Sequence, residues 1–138
     1  MESKHQTKEI YTDLWSRDKS NKYIWTIEHI FPEGQNIPQG WIDMIANSNK
    51  DLAYEYLNNY VHTIGNLTIT GYNSTLSNLD FDKKKNRKNS EGKDVGYKNG
   101  LYLNEDVVTA ESWTIDKIKA RTEKLVKEVI EELDMNKK

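Results

Sequence analysis

At 138 residues, with no cysteine and a formal net charge of −2, the chain is sized for one domain with a modest core. Disulfides and every thiolate-held zinc are excluded. Hydrophobic residues make up 36% and charged residues 30%, and no apolar run nears the roughly 20 residues of a membrane span. The polar, charged N-terminus is no signal peptide, so a cytoplasmic protein without membrane contact is expected. The triplets Asn66-Leu67-Thr68 and Asn73-Ser74-Thr75 are formal glycosylation sequons and are expected to stay bare there. Charge is unevenly placed: Asp82 to Lys98 carries seven Lys or Arg against three acids, a local +4. Such a run is most often a solvated face.

In chain order, Ile10, Tyr11, Leu14 and Trp15 have the spacing of a helix docking one face on the body. Tyr23 to Ile30 is rich in β-branched and aromatic residues and predicts a strand. Pro32, Gly34, Pro38 and Gly40 mark a loop. Trp41, Ile45, Leu52, Tyr56 and Tyr60 repeat at helical spacing, and Asn47-Ser48-Asn49 interrupts them, which predicts two short helices between the first strand and the second. Val61 to Thr70 is the second strand region, with Gly65 as a bulge or a point of close approach. After the turn-like Gly71-Tyr72-Asn73, Asn73 or Ser74 caps a helix running to about Lys88, with Leu76, Leu79 and Phe81 buried. Residues 89–100 predict a mobile loop. Asn104 is placed to cap a helix, with Glu105 and Asp106 in its first turn. Thr114 caps the last helix, whose apolar stripe is Ile115, Ile118, Leu125, Val129 and Leu133. The fold class is α+β, and Trp15, Trp25, Trp41 and Trp113 are its expected core anchors. No internal repeat interrupts this order.

The chemistry concentrates in Glu28-His29-Ile30-Phe31-Pro32, at the end of the first apolar run. Hydrolysis of a phosphodiester requires an activated water and stabilisation of the departing oxygen. An imidazole titrating near neutrality suits the first task. A hard divalent cation held by oxygen ligands suits the second, and Glu28 offers a carboxylate, Asn73 an amide oxygen. In a strand Glu28 and His29 point to opposite faces, so both serve one site only where the strand ends or bends, as Phe31-Pro32 permits.

Together with His62-Thr63-Ile64-Gly65-Asn66-Leu67-Thr68, with Asn73 and Leu76-Ser77-Asn78, and with Phe81-Asp82-Lys83-Lys84, this motif resembles an HNH, or ββα-metal, endonuclease. The subfamily it looks like is the C-terminal nuclease domain of GmrSD-type, modification-dependent restriction and phage-defence enzymes. Leu101-Tyr102-Leu103-Asn104 and the segment Trp113 to Arg121 also look like that domain's tail, so the resemblance spans roughly residues 20 to 130. It implies one domain over 1–138, with an HNH core at about 23–88 and a helical tail at about 101–135. The core would be a small ββα-metal unit with a helical insertion between its strands and flanking N- and C-terminal helices.

The resemblance also implies roles. His29 would be the general base and Glu28 a metal ligand. Asn66 would hold the loop between the strands through backbone hydrogen bonds. Asn73, where the commonest HNH pattern has histidine, would complete the metal shell, with Asn78 in reserve. The cofactor implied is a divalent metal, Mg²⁺ first and Mn²⁺ second; the substrate is DNA, and residues that read only phosphate leave RNA open. His62 and the cations Lys83, Lys84, Lys85, Arg87 and Lys88 would meet backbone phosphates. In the resembled enzymes a nucleotide-hydrolysing domain controls the nuclease. Its Gly-x-x-x-x-Gly-Lys motif is missing from this sequence, so the chain is expected to be a module of a longer protein, with that domain as a partner, or a stand-alone nuclease.

Quieter readings stand beside these. A Glu-His pair can be surface or hydrogen-bonded core, Asn73 a plain N-cap, and His62 a buried structural histidine. His5 sits in the polar N-terminal segment and is expected to be exposed, and Arg121 can pair with an acid in the body. The competing function is an HNH fold without catalysis, retained as a DNA- or protein-binding module. The intact Glu28-His29 pair favours the enzyme.

Overall fold

The computed structural model describes residues 17–22, 25–71, 76 and 78–136. The helix expected around Ile10–Trp15, the first residues of the expected strand, and Asn73 with its turn lie outside the described residues. Two short strands, β1 (Thr26–His29) and β2 (Leu67–Thr70), pair antiparallel. Glu28 stands opposite Thr68 and His29 opposite Leu67. Side chains alternate across the pair: Glu28, Thr68 and Thr70 are buried, while Ile27 is exposed and His29 half-buried.

Between the strands lie α1 (Gln39–Ala46) and α2 (Lys50–Tyr60), the insertion expected from the sequence. Asn47 stops α1 in the left-handed region at φ 49°, a conformation asparagine tolerates. Asn49 opens α2, its side-chain oxygen accepting from the Leu52 N–H at 3.1 Å and so satisfying one of the helix's orphan donors. The buried face of α2 is rotated from the predicted one: Ala53 and Leu57 are buried, and Leu52, Tyr56 and Tyr60 pack at its margin.

Past β2, α3 (Phe81–Asn86) is short, preceded by the non-helical Leu79 and Asp80 rather than continuous with them as expected. The predicted loop 89–100 is irregular, but it is built into the body. Val95, Tyr97 and Asn99 are buried, and the N–H groups of Tyr97 and Lys98 donate to the carbonyls of Lys84 and Lys85. Asn104 stands at the start of α4 (Glu105–Thr109) without capping it. Its side chain is drawn inward instead, accepting from the Thr68 hydroxyl and donating to Asn99.

The last helix, α5 (Ile115–Asn136), begins where the Thr114 hydroxyl accepts from the Lys117 N–H. Ile115, Ile118 and Leu125 bury its first half, whereas Val129 and Leu133 are exposed because the helix overruns the body. The core is an aromatic row, Phe31 on Trp41, Trp41 on Phe81, Phe81 stacked on Trp113, with ring centres 5.6–6.0 Å apart. Trp41 and Trp113 are thus anchors as expected, Trp25 is half-buried, and Trp15 falls outside the described residues. Among the described residues the architecture is α+β: one two-stranded antiparallel sheet and five α-helices, the pattern of a small ββα core with flanking helices.

Candidate functional site

Where β1 ends, one buried side chain ties the backbone to its surroundings. Asn66, fully buried in the 3₁₀ turn Ile64–Asn66 that leads into β2, uses all its hydrogen-bonding capacity. Its Oδ1 accepts from the Phe31 N–H at 2.8 Å and the Trp113 indole at 3.1 Å. Its Nδ2 donates to the carbonyls of Phe31 at 3.0 Å and Val61 at 2.9 Å. The turn is in turn gripped by α5. Arg121, buried, donates to the carbonyls of Gly65, Leu67 and Leu103 and to Asp106, the pairing with an acid of the body anticipated for it. Gly65 is a point of close approach: a Cβ there would collide with the Ile118 carbonyl and the Thr122 hydroxyl, so only glycine lets the turn seat on the helix.

Glu28 and His29 leave β1 on opposite sides. The Glu28 carboxylate turns inward and is 2% exposed. Its Oε2 accepts from the Tyr97 hydroxyl at 3.1 Å, and its Oε1 lies 3.5 Å from the Lys84 ammonium. Burial raises the Glu28 pKa above the usual carboxylate value, against the opposing pull of Lys84 and Tyr97. Burial likewise pushes Lys84 down to about 8, with Glu28 opposing. The Tyr97 hydroxyl is pushed up by burial and by the neighbouring carboxylate. For both members of the pair, loss of water outweighs attraction across a loose contact.

Lys84 also donates to the carbonyls of His29 at 2.9 Å and Ile30 at 3.1 Å, so a buried cation fixes the exit of β1 from behind. This corrects the reading of Lys84 as a phosphate contact, because its side chain is fully buried. Lys85 is corrected in the same way: it is buried over the Phe81 ring and donates to the Ala110 carbonyl at 2.8 Å. Of the expected basic strip, Lys83, Arg87 and Lys88 are exposed, and Lys88 is paired with Asp94 at 2.8 Å.

His29 faces the other way, half-buried, with one ring nitrogen on each of two neighbours. Nε2 is 3.0 Å from Nδ1 of His62, the rings meeting edge to face, and Nδ1 is 3.7 Å from Oε1 of Glu33. Burial lowers the His29 pKa; Glu33 opposes the shift, and His62 and Lys84 add to it. Burial thus favours the neutral form of the imidazole. His62 is exposed rather than a buried structural histidine, and Asn78 is exposed near Gly34. Sequence reasoning missed Glu33 and Tyr97. An acid four residues past His29 was a legible signal for the first; an aromatic inside a polar loop was a weak one for the second.

A buried asparagine at the strand ends, a histidine at the lip of the short strand pair and a carboxylate on the interior face thus stand together in a small α+β domain with a ββα-type core. The chain belongs to the family of GmrSD restriction endonucleases, C-terminal domain, whose model matches residues 3–128. Endonuclease activity of the restriction type is the function this family carries. No curated protein and no solved structure matches the chain. No helix among the described residues is long and apolar enough to cross a membrane.

Proposed function

We propose that this domain is a metal-dependent endonuclease that hydrolyses DNA phosphodiester bonds, with His29 as the general base, acting as the nuclease module of a restriction or phage-defence system. The observation that carries the proposal is the His29 imidazole. It sits at the protein surface, is held neutral by burial and neighbouring charge, and is fixed in orientation by contacts at both ring nitrogens. A water that takes the place of one of these contacts would lose its proton to the ring as the oxygen attacks phosphorus. Lys84 and Asn66 keep the strand exit in place, which positions the base without touching substrate. Exposed His62, Lys83 and Arg87 are suited to phosphate oxygens.

A divalent cation bound here would supply charge stabilisation for the departing oxygen. Glu28 has the right chemistry for a hard cation, and its carboxylate keeps lone pairs beyond those used by Tyr97 and Lys84. With Asn73 it is the pair we assign to hold Mg²⁺ or Mn²⁺. The burial of Glu28 against Lys84 is also the observation that favours the second reading, a docking module in which the carboxylate only braces the fold.

Plasmid nicking decides between the two. With added Mg²⁺ or Mn²⁺ the chain should nick supercoiled DNA, EDTA should stop it, and His29→Ala should lower the rate by about 10²–10⁴-fold while leaving the fold intact. A folded chain that neither cleaves DNA nor binds metal by calorimetry would establish the docking module instead.

A further inference from the structure

The neighbours of His29 form a donor set of a different character from Glu28 and Asn73. One ligand atom each from His29, Glu33 and His62 lies within 4.8 Å of the other two. The ring nitrogens of the two histidines already stand 3.0 Å apart, near the separation of two donors on one cation once the shared proton has left. Zinc bound to imidazole and carboxylate has bonds of about 2.0–2.2 Å, which places its donors roughly 3.3 Å from one another. The histidine pair needs only a slight opening to reach that spacing. Glu33, with its side chain 58% exposed, is free to close in. Two imidazoles and one carboxylate suit Zn²⁺ and its neighbours in the first transition row, whereas Mg²⁺ takes oxygen ligands and leaves imidazole alone. Three protein ligands leave a fourth position open to water or a phosphate oxygen.

We propose that His29, Glu33 and His62 form a second cation site, selective for Zn²⁺-like ions over Mg²⁺, and that its occupation switches the nuclease off. The site itself follows from the donor geometry; the inhibition rests on the reading of His29 as general base. A metal on the ring nitrogen takes the lone pair that would receive the proton of water, so zinc and catalysis compete for one atom. In the hydrolytic reading Glu33 only orients the ring, and this site makes it a ligand.

The test uses the full chain, which has three histidines, His5, His29 and His62. Zn²⁺ binding is followed by calorimetry, and Co²⁺ is used as a spectroscopic probe of coordination. The chain should bind one Zn²⁺. His62→Ala and Glu33→Gln should each weaken it by more than the ~10-fold lower limit for loss of an outer-shell partner, and His5→Ala should leave it unchanged. Both sensitive positions are exposed, so the variants should keep the wild-type circular dichroism spectrum. Nicking in Mg²⁺ is then measured with and without zinc, as a ratio within each variant. Zinc should suppress the wild type and suppress His62→Ala far less. No zinc binding, or binding that both variants leave intact, overturns the site. Binding that both variants weaken, with nicking untouched by zinc, keeps the site and overturns His29 as the base.

Discussion

Lys84→Met tests the arrangement behind the site most directly, because the lysine was expected at the surface and is instead the counter-charge of a buried carboxylate. Methionine keeps the stem's packing and removes the ammonium, leaving Glu28, 2% exposed, with the Tyr97 hydroxyl and the backbone N–H of His29 but no counter-charge. Removing one partner of a buried pair costs about 3–5 kcal/mol. The carboxylate has one escape, which is to take up a proton. Each pH unit above its ordinary 4.5 makes that escape dearer by about 1.4 kcal/mol, so the charge penalty levels off near ~3.4 kcal/mol at about pH 7 and near ~0.7 kcal/mol at about pH 5.

The sign follows from linkage. An acid whose folded pKa is raised contributes stability that is present below its unfolded pKa and lost as pH rises through the folded one. The variant's deficit must therefore grow with pH. The two carbonyls that lose their donor, those of His29 and Ile30, add about 1 kcal/mol each at any pH. Urea unfolding followed by the fluorescence of buried Trp41 and Trp113 should show a loss of up to about 5 kcal/mol at neutral pH that shrinks to about 3 kcal/mol near pH 5. Glu28→Gln added to Lys84→Met should restore about 2 kcal/mol or more at neutral pH. A loss under ~0.5 kcal/mol is what an exposed lysine would give, and it would refute the reasoning. So would a deficit that is the same at both pH values.

Two further outcomes are expected. Because the His29 pKa lies below its ordinary 6.5, the ring stays unprotonated into more acidic solution. The acid limb of kcat/KM should therefore have its midpoint below 6.5, and Glu33→Gln, which removes the opposing charge, should move it lower still; a limb above 6.5 would contradict the assignment. Asn66→Ala leaves two buried N–H groups and two carbonyls without partners, so thermal unfolding should drop by roughly 10 °C or more, from a loss of ~3–5 kcal/mol. A loss below ~1 kcal/mol would show that the asparagine does not hold the strand ends.

The local elements were legible because each rests on near neighbours in sequence. The Asn47-Ser48-Asn49 break reads as a stop and a cap since a left-handed asparagine and an Asx cap need only their own backbone. The same holds for Thr114 at the head of the last helix. The limits of this reading appear where partners are distant. Asn104 has every local qualification for a cap, yet it turns inward because buried Thr68 and Asn99 need its amide. Likewise, the stripe of the last helix was correct as a period but silent on where the body ends beneath it, so Val129 and Leu133 are exposed.

At the site, the sequence by itself determined which chemistry-bearing residues are present and in what order: Glu28 beside His29, then Asn66, with a basic stretch beyond. Alternation along a strand put Glu28 and His29 on opposite faces unless a bend at Phe31-Pro32 joined them, and the structure keeps them apart. What only the tertiary structure decided is which side each one faces and what meets it there. Lys83 and Lys84 are adjacent in a run of like charges, yet one is solvated and the other buried on three oxygens. A short helix presents successive side chains to different surroundings, and its rotation is set by packing rather than by charge. His62 reaches His29 from a helix end 33 residues along, and Tyr97 reaches Glu28 from a loop 69 residues along. Such convergence depends on chain closure over long separations, which no local pattern encodes.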